Sequence, residues 1–505
     1  MESKAIVILD ERIGNVNPDI FGHFAEHLGR CIYEGIYVGE QSPIPNTRGL
    51  RNDVVDALKK ISPSVLRWPG GCFADDYHWR DGIGPKSERP KTVNIHWGGV
   101  VETNQFGTHE FIDFCRLIGA QPYICCNVGS GSPEEARDWM EYCNFSGASS
   151  LADERRRNGN PDPFNVKYWG IGNELWGCGG QWQPDTYAAE LKRFQTFIYS
   201  FSPFIIACGP RGNNPFELRR DWVLRFFQEF ERKQHPHHRP IHGFSLHFYT
   251  RGPEAGGDLN FSENQYYWML RETLGMEEMI KQVRAGMDAY DPSRKIALIV
   301  DEWGTWHPEA QHDSGLEQQN SMRDALVAAL NLDIFVRMAD QVIMSNIAQT
   351  VNVLQAMILT KEDLMLLTPT YHVYDMYKHH QGADSLRLLI HGPEIDFTLN
   401  GEEYSLPAVA GSASLKNRTV FLSLTNSHAR DKDQLDLSLL SSESIKIKDV
   451  SAWELTGSDI HDHNTFENPE ALKPEPVKIG VKDIEQGKIT LSAHSVTTVK
   501  IDLGD

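Results

Sequence analysis

Two hydrophobic periods alternate along much of the chain. From about residue 20, short runs of β-branched and aromatic residues are followed by breaks rich in Gly, Pro and Asn, and then by stretches with helical apolar spacing. Ser132 before Pro133 and two acidic residues is typical of a helix start, and Leu326, Leu330 and Ile334 form an i, i+4, i+8 stripe. The pattern predicts alternating strands and helices.

Eight segments of this region have the composition of strands. Each is followed by a helical pattern that would return the chain, so the strands can lie parallel. Eight such units favour an α/β fold of the (β/α)8 TIM-barrel type over an open doubly wound sheet. A doubly wound sheet usually carries a glycine-rich phosphate turn, and GIGNEL at 170–175 does not match that glycine fingerprint at its last position. The predicted strands are Asp19–Phe24, Ser64–Trp68, Gln121–Asn127, Val166–Gly172, Phe204–Gly209, Ile241–Tyr249, Ile296–Glu302 and Gln341–Asn346.

The pattern changes after a predicted helix at about Tyr371–Gln381. Short alternating runs such as Thr419–Leu424, Lys488–Leu491 and Ser495–Ile501 follow, separated by Asn, Gly, Pro and Ser. They predict a C-terminal β-sandwich of the jelly-roll kind. Because Ala5–Leu9 has no helix after it, we expect this N-terminal strand to join the sandwich. The predicted units are residues 1–18, the barrel at 19–383 and the sandwich at 384–505.

Composition narrows the class of protein. A length of 505 residues is too great for one ordinary core, and 40% hydrophobic with 23% charged residues is typical of a globular chain. The formal net charge of −20 would repel nucleic acid or an anionic membrane, so a neutral substrate is favoured. The first residues lack the features of a signal peptide, and no apolar run is long enough to span a bilayer. We therefore expect a cytoplasmic protein.

The eight cysteines all lie in the first 210 residues and lack the paired spacing of a zinc or redox site. This distribution argues against a secreted disulfide framework, and most are expected to be buried thiols. Cys72 lies five residues after Arg67, and Cys178 lies four after Glu174. Both should stand on loops at the barrel mouth, where they either touch or form a disulfide.

The carboxyl ends of barrel strands converge on one mouth, where reacting groups are found. Glu174 in WGIGNELW and Glu302 in LIVDEW end the fourth and seventh predicted strands. Two such acids can flank one glycosidic bond, and retaining hydrolysis needs them roughly 5 Å apart. The strand ends offer Glu26, Arg67, Asn127, Asn173 with Glu174, His247 with Tyr249, Glu302 with Trp303, and Gln349.

The neighbours of the two glutamates suggest their roles. Asn173, directly before Glu174, can bind a sugar 2-hydroxyl, and Tyr249 can hold Glu302 ionised through a hydrogen bond. We therefore predict Glu174 as the acid/base and Glu302 as the nucleophile. Asn127 and His247 are candidates for supporting these groups by hydrogen bonds.

Longer segments resemble known glycosidases. WGIGNELWGCGG and the strand ending in DEW are similar to the acid/base and nucleophile strands of clan A enzymes. FGHFAEHLGR and VLRWPGGCFADDYHWRDGIGP resemble the family 51 α-L-arabinofuranosidases. The resemblance continues through NIHWGGVVETNQFGTHEF, SLHFYT and SNIAQTVNVLQAMI, and so covers most of the barrel.

The resemblance implies an exo-acting enzyme that removes terminal α-L-arabinofuranosyl groups from arabino- and arabinoxylo-oligosaccharides with retention, using no cofactor or metal. It also implies a homo-oligomer, often a hexamer in this family. The sugar site would be lined by Glu26, Arg67, Asn173, Tyr249 and Gln349, with Trp97 and Trp306 at its mouth. Cys72 and Asn127 complete the expected substrate-binding set.

Other functions remain open from the sequence. Paired glutamates do not specify the sugar, so a different clan A glycosidase, such as an endo-β-glucanase or a β-xylosidase, is one alternative, and a carbohydrate-binding barrel without activity is another. HPHHRPIH at 235–242 and HDH at 461–463 lack helical metal-ligand spacing and are interpreted as surface loops. No GxSxG or Walker motif is present, which excludes the corresponding hydrolase classes.

Overall fold

The computed structural model describes residues 2–232 and 239–504. These residues form a closed, parallel, eight-stranded barrel and a sheet-rich C-terminal domain, which confirms the predicted fold class. Strands follow one another around the barrel in chain order, and the eighth pairs with the first. The barrel strands are Gly22–Phe24, Val65–Trp68, Gln121–Cys126, Tyr168–Ile171, Phe204–Ala207, Gly243–Thr250, Ala297–Thr305 and Val342–Ala348.

Helices cover the outside of the barrel. Ser132 accepts a hydrogen bond from the backbone N–H of Glu135 at 3.2 Å, so the predicted helix start is confirmed. None of the described helices combines the length and the apolar composition needed to cross a membrane. The α-helices are Asn52–Ile61, Thr108–Ile118, Pro133–Asn144, Ser150–Arg157, Pro184–Ile198, Phe216–Phe230, Glu263–Asp288, Met322–Arg337, Pro369–Tyr377 and Val481–Glu485.

Apolar side chains fill the inside of the barrel below its mouth. They come from six of the eight strands and form a cluster separate from the main core. The interior is therefore a packed core rather than a pore. The cluster consists of Val65, Tyr123, Tyr168, Ile206, Ile299 and Met344.

The C-terminal domain is built on one nine-stranded sheet. The N-terminal strand Glu2–Asn15 runs antiparallel to Asp384–His391 and parallel to Asp433–Leu440, so it joins this sheet as expected. Exact limits for the three predicted units stay a prediction. In spatial order the strands are Glu475–Pro476, Ile447–Leu455, Ser495–Leu503, Thr419–Asn426, Val409–Lys416, Asp384–His391, Glu2–Asn15, Asp433–Leu440 and Lys488–Leu491.

Four short hairpins lie outside the barrel and the large sheet. The second of the four pairs given below is in the loop after the second barrel strand, and the fourth belongs to the C-terminal domain. They pair Asn46–Thr47 with Leu50–Arg51, Thr92–Val93 with Val101–Glu102, Ile358–Lys361 with Leu364–Leu367, and Glu394–Leu399 with Glu402–Pro407.

The helix Met322–Arg337 fixes the sheet to the barrel. All of its residues except Arg337 are buried, as expected of a helix covered on every side. Asp333 accepts a hydrogen bond from Ser412 Oγ at 2.6 Å, and Arg337 Nη1 donates to the backbone oxygen of Gly411 at 2.7 Å. Two parts of the chain therefore share one helix as a common core element.

We predict that Leu326→Ala destabilises the protein by about 2–5 kcal/mol, because the truncation leaves a cavity where a fully buried leucine stood (0% exposed). Leu218→Ala is the matched control, since Leu218 lies on another helix and is 56% exposed. Thermal unfolding of both variants and the parent checks this. Equal melting temperatures for the two variants would contradict the packing described.

Candidate active site

A tight turn brings the first predicted glutamate to the barrel mouth. The fourth strand ends at Ile171, and Gly172 follows with a φ of 84°, a conformation that favours glycine. Glu174 itself has a φ of 41° and a side chain that is 19% exposed. The turn therefore presents Asn173 and Glu174 at the carboxyl end of the strand.

The second glutamate lies within the seventh strand, which extends three residues beyond the predicted end at Glu302. Pairing with the sixth strand is irregular there and skips Asp301. Such a bulge lets consecutive side chains turn to the same side. Asp301 accepts hydrogen bonds from Tyr123 OH at 2.8 Å and Asn346 Nδ2 at 3.2 Å, while Glu302 faces the mouth.

Three groups hold the carboxylate of Glu302. Arg67 Nη1 lies 2.8 Å from Oε1, the Tyr249 hydroxyl donates to Oε2 at 2.8 Å, and His247 Nδ1 is 3.5 Å from Oε2. Burial favours the protonated form, but His247, Arg67 and Tyr249 outweigh it and hold the pKa of Glu302 below its ordinary value. The carboxylate is therefore ionised, as a nucleophile must be.

His247 connects the two glutamates. Its Nδ1 lies 3.0 Å from Glu174 Oε1, and this nitrogen with one oxygen of each glutamate forms a group whose atoms all lie within 4.8 Å of one another. Burial would lower the pKa of His247, but Glu302 and Glu174 outweigh it and raise the pKa above its usual value. The carboxylate spacing is that of retaining glycosidases, where the groups are roughly 5 Å apart.

A second cluster surrounds Glu26, which follows the first strand and is buried. Its Oε1 accepts hydrogen bonds from Trp97 Nε1 at 2.8 Å and Phe73 N at 3.0 Å, and its Oε2 accepts from Gln349 Nε2 at 3.2 Å. Burial and the charge of Glu302 raise the pKa of Glu26 to about 7, against these donors. Three predicted site residues, Glu26, Trp97 and Gln349, are thus in direct contact.

The two clusters border one space. A Cβ added to Gly71 would lie 3.1 Å from Glu302 Oε1 and 3.3 Å from Glu26 Oε2. The backbone of Gly71 therefore passes close to both carboxylates. Any side chain there would press on both acids.

Arg67, a predicted sugar-site residue, bonds both Glu302 and Asn173, and its contact with the sugar stays a prediction. Its side chain is 1% exposed, and Nη2 donates to Asn173 Oδ1 at 2.6 Å while Nη1 holds Glu302. The guanidinium also lies 4.7 Å from the ring centre of Phe24. Its hydrogen bonds thus go to protein groups, which makes Arg67 a link between the two catalytic strands.

The predicted mouth tryptophans lie beside these clusters. Trp306 packs edge-on against Tyr249 with ring centres 5.3 Å apart, and its indole nitrogen donates to the backbone oxygen of Ala310. Trp97 packs against His312 at 5.1 Å and also donates to Glu26. Both rings are partly buried and adjoin residues of the site.

Cys72 and Cys178 are joined by a disulfide, with an S–S distance of 2.07 Å. Of the two possibilities left open by the sequence, the bond is the one observed. Cys178 Sγ lies 3.7 Å from Glu174 Oε2, so the bridge adjoins the acid/base side chain. The other six cysteines are buried free thiols.

Asn127 is held by hydrogen bonds within the loop after the third strand. Its Oδ1 accepts from the backbone N–H groups of Ser130 and Gly131, and its Nδ2 donates to the backbone oxygen of Tyr77 and to Ser130 Oγ. The amide is thus fully used in shaping the loop after the third strand. These bonds support that loop, and contact of Asn127 with the substrate stays a prediction.

The two histidine-rich segments carry no further assignment. Residues 235–238 of HPHHRPIH lie outside the described residues. In HDH, His461 stacks on Phe261 and pairs with Asp459, and His463 Nδ1 lies 2.9 Å from the backbone oxygen of His461. These imidazoles are used in local contacts.

One residue of the site was missed from the sequence. Asp75, which is 3% exposed, accepts backbone hydrogen bonds from Val128, Gly129 and Asn173. Burial raises the pKa of Asp75 to about 7, although these three donors favour the ionised form. The only sequence signal was its place in VLRWPGGCFADDYHWRDGIGP, since a single acid has no periodicity that could reveal contacts with two other loops.

A separate cavity of about 830 Å³ lies in the loops after the first two strands. Tyr33, Tyr37 and Lys86 are among its lining residues, and none of the predicted site residues lines it. The cavity therefore does not coincide with the paired glutamates.

Comparison with known proteins agrees with this geometry. Residues 57–217 match the family model described as Alpha-L-arabinofuranosidase 1 domain, and residues 301–495 match Alpha-L-arabinofuranosidase C-terminal domain. The "Intracellular exo-alpha-L-arabinofuranosidase" of Bacteroides ovatus is 43% identical over 498 residues, covering 96% of this chain and 93% of the relative.

Solved structures give the same result. The GH51 arabinofuranosidase from Xanthomonas axonopodis pv. citri superposes with a TM-score of 0.91 at 44% identity, over 99% of this chain and 100% of that chain. An arabinose complex of the Thermotoga maritima α-L-arabinofuranosidase has a TM-score of 0.83 at 33% identity, with the same two coverages. This chain is therefore a glycoside hydrolase that belongs to the family 51 α-L-arabinofuranosidases.

Proposed function

We propose that the protein is an exo-acting, retaining α-L-arabinofuranosidase in which Glu302 is the nucleophile and Glu174 the acid/base. One observation carries the assignment. The two carboxylates come from different strands, approach within 4.8 Å, and differ in environment. Glu302 is held by Arg67 and Tyr249, whereas Glu174 is more exposed and contacts His247.

In the first step, the Glu302 carboxylate attacks the anomeric carbon while Glu174 gives its proton to the glycosidic oxygen. The bond from that carbon to the leaving oxygen breaks, and an ester to Glu302 forms. Arg67 and Tyr249 orient the attacking carboxylate, so little reorganisation is needed during the reaction.

In the second step, Glu174 acts as a base, since the ester has removed the negative charge of Glu302. Glu174 then takes a proton from water as the water oxygen attacks the anomeric carbon. The ester breaks, arabinose leaves with its original configuration, and both glutamates return to their starting states.

The residues around the glutamates suit a terminal furanose. Asn173 is proposed to bind the 2-hydroxyl, and Glu26 with Gln349 to bind hydroxyls farther round the ring, since these polar groups border the space near Glu302. Trp97 and Trp306 would form the walls, together with the disulfide of Cys72. Arg67 acts on the sugar through Glu302 and Asn173.

We also propose arabino- and arabinoxylo-oligosaccharides as substrates, a cytoplasmic location and a homo-oligomer, hexameric as in the family resemblance. The Bacteroides ovatus relative is named intracellular and exo-acting, and the Thermotoga maritima structure contains arabinose. Short oligosaccharides fit an enzyme inside the cell, because polymers do not enter. The proposed chemistry uses only side chains of this protein.

The main rival is a glycosidase of the same clan with another sugar. A bifunctional glucanase-xylanase, CelM2, superposes with a TM-score of 0.62 at 13% identity, which shows only a shared fold. The identity of the sugar therefore depends on the pocket and on direct measurement.

We predict hydrolysis of 4-nitrophenyl α-L-arabinofuranoside in preference to the β-xyloside and to a soluble glucan, because Glu26 and Gln349 lie beside the nucleophile. Faster hydrolysis of the xyloside would favour the rival glycosidase.

Proton NMR during turnover should show the α-anomer of arabinose before mutarotation. First appearance of the β-anomer would exclude the retaining mechanism.

We predict that Glu302→Ala lowers kcat by at least about 10⁴-fold, because it removes the attacking carboxylate. Glu217→Ala, an exposed change on a helix, is the matched control and should keep parent activity. Steady-state kinetics with circular dichroism checks both activity and folding. A folded Glu302→Ala that keeps the parent turnover would exclude Glu302 as the nucleophile, and a parent protein without turnover would support a carbohydrate-binding barrel.

We predict that Tyr249→Phe moves the acid limb of the kcat/KM profile to higher pH. The tyrosine hydroxyl is one of the groups that lower the pKa of Glu302, so its removal raises that pKa. The nucleophile must be ionised, and activity is lost as pH falls through its pKa. Tyr267→Phe, on the helix Glu263–Asp288, is the control. An acid limb at the same pH in parent and Tyr249→Phe would contradict the role of this hydrogen bond.

A further inference from the structure

Asp75 joins three loops at the barrel mouth. It ends the short 3-10 helix Cys72–Asp75 that follows the second strand. Its Oδ1 accepts from Val128 N at 2.8 Å and Gly129 N at 2.9 Å, after the third strand, and its Oδ2 accepts from Asn173 N at 2.8 Å, after the fourth. A single buried carboxylate therefore fixes the backbone of two neighbouring loops.

Two glycines make this close approach possible. A Cβ on Gly129 would lie 2.7 Å from the Asp75 backbone oxygen, and a Cβ on Gly179 would lie 2.6 Å from Asp75 Oδ2 and 2.3 Å from the Asn173 backbone oxygen. None of these three distances is compatible with an unshifted side chain. Glycine at both positions therefore leaves the room that Asp75 needs to approach the two loops.

The contact bears directly on Glu174. Asn173, whose N–H is held, immediately precedes Glu174, which has a left-handed backbone at φ 41°. On the other side, Cys178 ties the same loop to Cys72, three residues before Asp75. The acid/base is therefore enclosed by two attachments to one short helix, while Glu302 is held separately by Arg67 and Tyr249.

We infer that Asp75 is a positioning residue for the acid/base, and that it sets the place from which Glu174 delivers its proton to the leaving oxygen. The inference rests on the proposed function of Glu174. Asp75 acts through the backbone of Asn173 and touches no substrate atom. Its loss impairs proton delivery more than attack by Glu302, since misplacing a catalytic group by 1 Å can cost about 10²-fold in rate.

The test uses leaving groups that differ in their need for a proton. In Asp75→Asn the side chain keeps its size, but an amide NH₂ must face a backbone N–H and one anchoring bond is lost. We expect kcat/KM for phenyl α-L-arabinofuranoside to fall by about 10²-fold. With dinitrophenyl α-L-arabinofuranoside, whose leaving group needs no proton, kcat/KM should be little changed.

Asp76→Asn is the matched control. It makes the same substitution one position along, at a carboxylate that has no hydrogen bond or ion pair among the described residues. It should keep parent kcat/KM with both substrates. Titration of active sites with the dinitrophenyl substrate corrects each kcat/KM value for the folded fraction. A purely structural defect lowers kcat/KM equally for both substrates, so it would not produce a dependence on the leaving group.

Glu174→Ala is measured beside these variants to separate the two claims. If Glu174→Ala loses activity equally with both leaving groups, the proposed acid/base role fails. If Glu174→Ala shows the selective loss, and Asp75→Asn shows an equal loss or none, the positioning role of Asp75 fails alone. Should Asp75→Asn not fold, Gly179→Ala is used instead, because it disturbs the same contact. This variant must lose activity mainly with the phenyl substrate. An equal loss with both substrates overturns the inference.

Discussion

The ion pair between Arg67 and Glu302 is the interaction on which the site depends. Arg67 lies on the second strand and Glu302 on the seventh, so the 2.8 Å contact spans the mouth of the barrel. Both side chains are almost fully buried, and a buried charge without its partner would be strongly destabilising. The same guanidinium also bonds Asn173, and so it sets the fourth strand relative to the seventh.

Several acids share this small region, and their surroundings separate them. Neighbouring cations and Tyr249 lower the pKa of Glu302, whereas burial raises the pKa of Glu26 and of Asp75 to about 7. Separation of this kind lets one carboxylate serve as a nucleophile while others bind or support. The surroundings of each carboxylate therefore determine its role, because all three side chains carry the same functional group.

Strand order and the paired glutamates could be predicted from the sequence because both depend on local patterns. All eight predicted strands overlap observed ones, and Glu174 and Glu302 lie together. The bonds by which Arg67 links Glu302 to Asn173 could not be predicted, since they depend on which partner each polar group meets after folding. Asp75 was missed for the same reason: its three partners lie 53, 54 and 98 residues away.

The N-terminal strand has a consequence for how the chain is made. Lys4 lies opposite His391, and Glu2 lies opposite Gln434, so the partners of the first strand are synthesised only after the whole barrel. Until those partners are made, the strand lacks the neighbours with which it pairs in the folded protein. The large sheet can therefore be completed only after the segments of the barrel have been synthesised.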